Sequence, residues 1–161
     1  MLNKIGEPSP PSGFKLKLAR APIYLYRIGL GGLMGDRFLR LRHRGRRTGN
    51  SIETVLEVIR YDESTTQFFV ASGYGTKSQW YRNIIAEPHV SIMVKNTEHN
   101  AVARVVSPDE ATQILGLYAA AHPKSIKAVA RLSGYNMDGT ESDIVEFSSI
   151  IKIIEFTVKK S

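Results

Sequence analysis

The chain contains no cysteine, which excludes disulfides, thiolate metal sites and cysteine nucleophiles. Its four histidines (His43, His89, His99, His122) are scattered, without the His-x-x-x-His or His-x-x-Glu spacing that places two ligands on one helix face. No metal site is expected. No apolar run approaches the roughly 18 residues of a membrane span, and the first eleven residues lack the apolar stretch of a secretory signal. A cytoplasmic protein is the expectation. Acids are scarce in one region only. Residues 1–50 hold two, Glu7 and Asp36, against eleven Lys and Arg, whereas residues 51–161 hold thirteen against eleven. The formal excess of +7 therefore sits in the first third of the chain. A charge concentrated in this way is expected to meet an anion: a phosphorylated cofactor, a nucleic acid or a membrane surface.

With 161 residues, 42% of them apolar and 23% charged, the composition fits one folded domain. Residues 1–13, rich in Pro and Ser, read as a flexible lead-in, and residues 14–161 as the domain. An amphipathic helix is expected over 14–30, restarted at Pro22 and broken at Gly29-Leu30-Gly31-Gly32. Those glycines miss the dinucleotide fingerprint, since Met34 stands where the third belongs. Leu39 and Leu41 alternate with Arg40 and Arg42, a strand with leucines inward and arginines outward. Strands over 52–59 and 67–71 flank a turn at Asp62-Glu63-Ser64. A short helix is expected from Lys77 to Glu87. Strands over 90–94 and 101–106 form a hairpin around Asn96–Asn100. Ser107-Pro108-Asp109-Glu110 opens a helix with a capping box, residues 124–132 continue helical, and residues 147–158 form the last strand. About six strands in hairpins with interposed helices predict an α+β fold built on a closed antiparallel barrel.

Two clusters carry chemistry. Arg37 to Arg47 holds six of the twelve arginines and runs into the loop Arg44-Gly45-Arg46-Arg47-Thr48-Gly49. Its glycines allow tight turning and its guanidinium forks match phosphate geometry; from composition alone, a solvated basic hairpin turn accounts for it equally. The second is Ser72-Gly73-Tyr74-Gly75-Thr76-Lys77-Ser78-Gln79-Trp80-Tyr81-Arg82-Asn83. Helical spacing puts Trp80 and Asn83 on one face, suited to a flat heteroaromatic ring, and equally suited to a core tryptophan beside a glycine loop.

Together, Gly-Arg-Arg-Thr-Gly, Val-Ala-Ser-Gly-Tyr-Gly, Trp-Tyr-Arg-Asn and Ala-Glu-Pro, in this order, resemble the deazaflavin-dependent nitroreductase family, split-β-barrel reductases that use coenzyme F-420. The resemblance runs from about Pro22 to Val106. It implies a six-stranded antiparallel split β-barrel, of the kind that also binds FMN, with flanking helices. It implies that Arg46, Arg47 and Thr48 grip the phosphate and oligoglutamate tail, with Arg44, Gly45 and Gly49 in the same loop. Ser72, Gly73, Trp80 and Asn83 would surround the ring, with Lys77 nearby. The implied reaction is hydride transfer from reduced deazaflavin to a hydrophobic quinone, enone or nitroaromatic, with no catalytic dyad in the protein. Many relatives carry a basic residue where this chain has Ile52, which shifts tail contact toward Arg44 or Arg42. A nitroimidazole-activating relative lines its substrate pocket with tyrosines. This chain has His122-Pro123-Lys124-Ser125-Ile126 there, leaving Tyr26, Tyr118, His122 and Tyr135 as candidate pocket residues.

Other readings remain beside this one. FMN, with one phosphate, is the alternative cofactor. A basic, apolar 14–30 segment is compatible with peripheral contact at the inner face of the membrane, either in a reductase or in a non-catalytic binding module, and split barrels commonly form homodimers. Nucleic acid is not expected, because only Phe38 interleaves an aromatic with the arginines.

Overall fold

Alternation of apolar and polar residues is what builds the molecule's centre, a barrel closed by backbone pairing. The computed structural model describes residues 1–8 and 22–160. Its barrel strands are β2 (Phe38–Arg44), β3 (Ser51–Asp62), β4 (Gln67–Ser72), β5 (His89–Val94), β6 (Thr97–Val105) and β8 (Lys152–Val158). They run in the order β2-β3-β4-β8-β6-β5 and close by antiparallel pairing of β5 with β2. A short β1 (Asn3–Lys4) pairs with β7 (Tyr135–Asn136) outside the barrel. The helices are α1 (Pro22–Arg27), α2 (Gln79–Ala86), α3 (Pro108–Ala121), α4 (Pro123–Leu132) and α5 (Glu141–Ser148).

Two apolar cores follow from the two faces of the sheet. Inside the barrel, Leu39, Leu41, Val70, Ile92, Ile154 and Phe156 interdigitate, and Ile84 and Trp80 of α2 join them. Outside it, α3, α4 and α5 lay Ile114, Leu115, Ile126 and Phe147 over Phe69 and Ile153. The predicted barrel is therefore the observed one.

Several local expectations are revised. Residues 97–100 belong to β6 rather than to a loop, because Lys95 takes φ 55° and a turn of two residues, Lys95 and Asn96, suffices. Residues 147–151 are not strand. Phe147 and Ser148 form the last positions of α5, capped at its start by Thr140, whose hydroxyl accepts from the Asp143 amide while the Asp143 carboxylate accepts from the Thr140 amide. At α3 the Ser107 hydroxyl caps the Glu110 amide, but the Glu110 carboxylate turns to Arg104 instead of closing a box. Of the expected lead-in, residues 1–6 are tied down: Leu2 joins the outer core, and the Ile5 amide donates to the Gly134 carbonyl at 2.8 Å. Of the expected helix over 14–30, the described part is α1, ended by Gly29 at φ 79°, followed by a 3-10 turn at Gly31–Met34; residues 14–21 lie outside the described residues.

Candidate functional site: the arginine loop and its surroundings

Arginines on β2 alternate with the core leucines, and their fates diverge according to which acids reach them. Arg37 meets Glu57 at 3.4 Å. Arg40 meets Glu98 at 3.2 Å, and Arg42 meets both Glu98 at 2.7 Å and Glu53 at 3.4 Å. Ser91 also donates to Glu98. That hydrogen bond, followed by Arg42 and Arg40, holds the Glu98 carboxyl below its ordinary value, against the opposing effect of burial. Arg40 was expected on an exposed face. It does point out of the barrel, but it is only 3% exposed beside buried Tyr26. Its charge is neutralised from β6, as burial of a guanidinium requires.

Past Arg42 the acids stop. Among the described residues neither Arg44 nor Arg47 meets a carboxylate, and both are exposed. Arg46 has only neutral partners: its Nη1 donates to Gln79 Oε1 at 3.0 Å and to Asn83 Oδ1 at 2.9 Å, and its backbone amide donates to the same Asn83 oxygen at 3.1 Å. Asn83, 2% exposed, must therefore turn its amide nitrogen the other way, where it lies 3.2 Å from His43 Nδ1. Since Asn83 Nδ2 is a donor, His43 presents a lone pair on Nδ1 and, when neutral, carries its proton on Nε2. The loop is thus pinned to α2 without spending its positive charge.

Glycine is required within this loop. A Cβ on Gly45 would lie 3.0 Å from Thr48 Oγ1 and 3.1 Å from the Ile52 side chain, and Gly49 takes φ 73°. The Gly45 amide donates to the Asn50 carbonyl and the Gly49 amide to the Gly45 carbonyl, both at 2.8 Å. Thr48 Oγ1 accepts from the Asn50 amide at 3.2 Å, so the hydroxyl shapes the turn.

The second cluster lies against the same helix. Ser72 is fully buried, and its hydroxyl bonds to the Gly75 carbonyl at 2.7 Å and to Ser78 Oγ at 3.0 Å. The Gly73 carbonyl accepts from Ser133 Oγ at 2.6 Å, which ties this loop to the end of α4. Lys77 is in the 3-10 turn before α2, with Glu7 at 3.5 Å. Trp80 is half-buried and packs its edge against Tyr81, with ring centroids 6.5 Å apart. Ser72 and Asn83 therefore bond to protein groups and hold the loops in place, whereas Arg44, Arg47, Lys77 and Trp80 keep exposed or half-exposed surface.

The four candidate pocket residues do not converge on one point. Tyr118 and His122 come together, ring centroids 5.2 Å apart, beside the half-exposed β3. The Tyr118 hydroxyl donates to Glu57 at 3.1 Å, and burial followed by the Glu57 charge raises its pKa. Tyr135 packs on Phe147 in the outer core. Tyr26 lies apart from these, next to Arg40 and the Lys95 backbone, with its pKa raised by burial. A feature with no local sequence signal is a hollow of about 360 Å³ beside the arginine loop. Arg44, Gly49, Ser51, His89, Asn100 and Lys159 help to line it, and their scatter over the sequence hides the grouping.

Residues 25–130 match the family model described as F-420H(2)-dependent quinone reductase. No curated protein matches the chain. Among solved structures, an F-420-H2 dependent reductase superposes with a TM-score of 0.53 at 16% identity, over 76% of this chain and 94% of that one. A protein described as a domain-swapped dimer gives 0.53 at 13% identity, over 86% and 100%. The heme storage protein HutZ from Vibrio cholerae gives 0.55 at 13% identity, over 88% and 92%. At such identities these structures speak for the barrel fold alone.

Proposed function

We propose that this protein reduces a quinone, from the premise that the chain belongs to the F-420H(2)-dependent quinone reductase family. Coenzyme F-420 is the cofactor of that family, and when bound it supplies a hydride from its deazaflavin ring. The residues present fit such a group. Its anionic portion needs cations that no internal acid has neutralised, and Arg44, Arg46 and Arg47 are three such cations in one loop.

The observation that carries the reading is the grip on Arg46. Two neutral amides, Gln79 and Asn83, fix the guanidinium, so its charge stays available to a phosphate or carboxylate at little ordering cost. Arg47 and Arg44 extend the cationic edge, and Thr48 keeps the turn closed. Gly75 opens onto free space, Gly73 faces the Leu132 side chain, and Trp80 keeps a half-exposed face that a flat ring can cover. Lys77 stands at the rim. His122, exposed and resting against buried Tyr118, offers a ring to a flat acceptor over β3, and the Tyr118 hydroxyl donates to Glu57. A quinone that receives a hydride needs one further proton to become the hydroquinone, and solvent at the half-exposed β3 surface supplies it.

Calorimetric or fluorescence titration with F-420, run beside FMN, tests the cofactor assignment. The Arg46→Ala/Arg47→Ala variant is expected to bind F-420 at least about tenfold more weakly, since each lost charge-assisted contact is worth about 1 kcal/mol or more; unchanged affinity would refute the loop's role. Reduced coenzyme with a naphthoquinone, a cyclohexenone and a nitroimidazole in turn tests the acceptor, the quinone being expected to react fastest. Nitroimidazole as the best acceptor would overturn that choice and leave the cofactor reading standing. Two parts of the reading concern assembly. Pairing of two chains, as in the neighbour described as a domain-swapped dimer, is tested by light scattering. Peripheral membrane contact through residues 14–30, supported by exposed Ile28 and Leu30 beside Arg27, is tested by liposome co-sedimentation of the full chain beside an Ile28→Ser/Leu30→Ser variant, whose unchanged binding would refute it.

A further inference from the structure

The hollow beside the arginine loop is a second place where positive charge is left over. It sits at the barrel end carrying α2, bounded by the end of β2, the start of β3, the start of β5 and the residue after β8. Its cationic groups are Arg42, Arg44 and Lys159, with His89 beside them. Arg42 is spoken for by Glu53 and Glu98. Glu98 is further shared with Arg40 and Ser91, and Glu87, whose carboxylate accepts the His89 backbone amide, pairs with neither the His89 ring nor Lys159. Arg44 and Lys159 have no carboxylate among the described residues.

Lys159 is not a loose tail residue. Its backbone amide donates to the Asn100 carbonyl at 2.8 Å, which extends the β8 edge by one residue and carries the side chain over the hollow. There Lys159 Nζ lies 2.8 Å from His89 Nδ1. An ammonium has only donors, so the imidazole must accept, and the pair is two neighbouring groups with spare N–H donors and no anion to receive them. Gly49, lining the hollow without a side chain, leaves the loop backbone open to close approach.

From this geometry we propose that the hollow is an oxyanion subsite for a carboxylate or phosphate group, with Arg44, Lys159 and His89 as its donors. Arg44 and Gly49 of the arginine loop line it, and Arg46 does not. Two sources could place such a group there: the distal carboxylates of the coenzyme's own tail, a reading that rests on the function proposed above, or a free phosphate.

The test compares the full chain with the variants Lys159→Gln, Arg44→Ala and their double, all at surface positions, with thermal melting to verify folding. Three probes are titrated by calorimetry and amide-resolved NMR: F-420 with its tail, the deazaflavin riboside without phosphate or tail, and inorganic pyrophosphate. If the tail fills the hollow, Lys159→Gln weakens tailed F-420 about three- to fivefold and the double variant about tenfold, the scale expected of partly exposed ion pairs. The riboside is unaffected, and tailed F-420 shifts the Asn100 and His89 amides. If free phosphate is the occupant, pyrophosphate shifts those amides, the shifts vanish in the double variant and persist in Arg46→Ala, and tailed F-420 is indifferent to Lys159→Gln. Pyrophosphate shifts without binding of either deazaflavin would sink the proposed function and leave the subsite standing. Binding of tailed F-420 and of pyrophosphate that is unchanged in the double variant would overturn the subsite.

Discussion

Asn83 does three jobs with one side chain: its oxygen accepts from the backbone and the guanidinium of Arg46, and its nitrogen faces His43. Replacing it with leucine keeps the volume and removes all three bonds in a nearly dry place. We expect Asn83→Leu to cost about 1–3 kcal/mol, the penalty for stranding buried polar groups, read as a lowered melting temperature. F-420 affinity should fall with it, because Arg46 would no longer be held. A variant with unchanged melting but weakened affinity would mean instead that Asn83 touches the coenzyme directly. At this scale the sequence was partly legible. The pairing of Trp80 and Asn83 on α2 followed from helical spacing. That Asn83 and Ser72 would be occupied by Arg46, His43, Gly75 and Ser78 did not, because those partners come from other segments.

The helix α5 shows what an element-level pattern can hide. Its Thr140-x-x-Asp143 cap was present in the chain, yet the apolar run that follows reads as strand. The cap decides in favour of helix: Asp143 Oδ2 accepts the amides of Asp138, Gly139 and Thr140 at 3.0, 3.0 and 3.3 Å, and the chain's amino group lies 3.1 Å from Oδ1. Burial acts to raise the Asp143 pKa, but the amine and these amides outweigh it and bring it from 3.8 down to about 2. A carboxyl whose folded pKa lies below its unfolded one adds stability at pH values above the unfolded pKa. That stability is lost as pH falls through the folded pKa. Urea midpoints for the natural chain should therefore drop between about pH 4 and pH 2 through this group. Asp143→Asn should start lower at neutral pH and show a shallower drop in that window. Parallel pH curves for the two proteins would refute the assignment.

Taken whole, the molecule sorts its charge by folding. Eleven bases in the first fifty residues suggest one continuous anion site, but Glu53, Glu57 and Glu98 withdraw Arg27, Arg37, Arg40 and Arg42 from it. Among the described residues of that stretch, what remains is a rim of Arg44, Arg46 and Arg47, and Lys159 from the far end of the chain joins it. A rim so exposed is open to ionic screening, whose length is about 10 Å at 0.1 M salt. Affinity for F-420 should therefore fall about tenfold between 50 and 500 mM salt, measured by titration at fixed pH. A flat response would mean that the coenzyme is held by its ring alone.

The sequence by itself determined the barrel, because alternation on six segments leaves each strand one apolar face to bury and closure leaves no unpaired edge. It also determined where positive charge begins, and, through the order of its motifs, the reductase family. Only the tertiary structure decided which arginines stay free. Coulomb attraction depends on distance in space, and Glu98, which neutralises Arg40 and Arg42, stands 58 and 56 residues away along the chain. The same rule hid Lys159 and His89, 70 residues apart and in contact over β6.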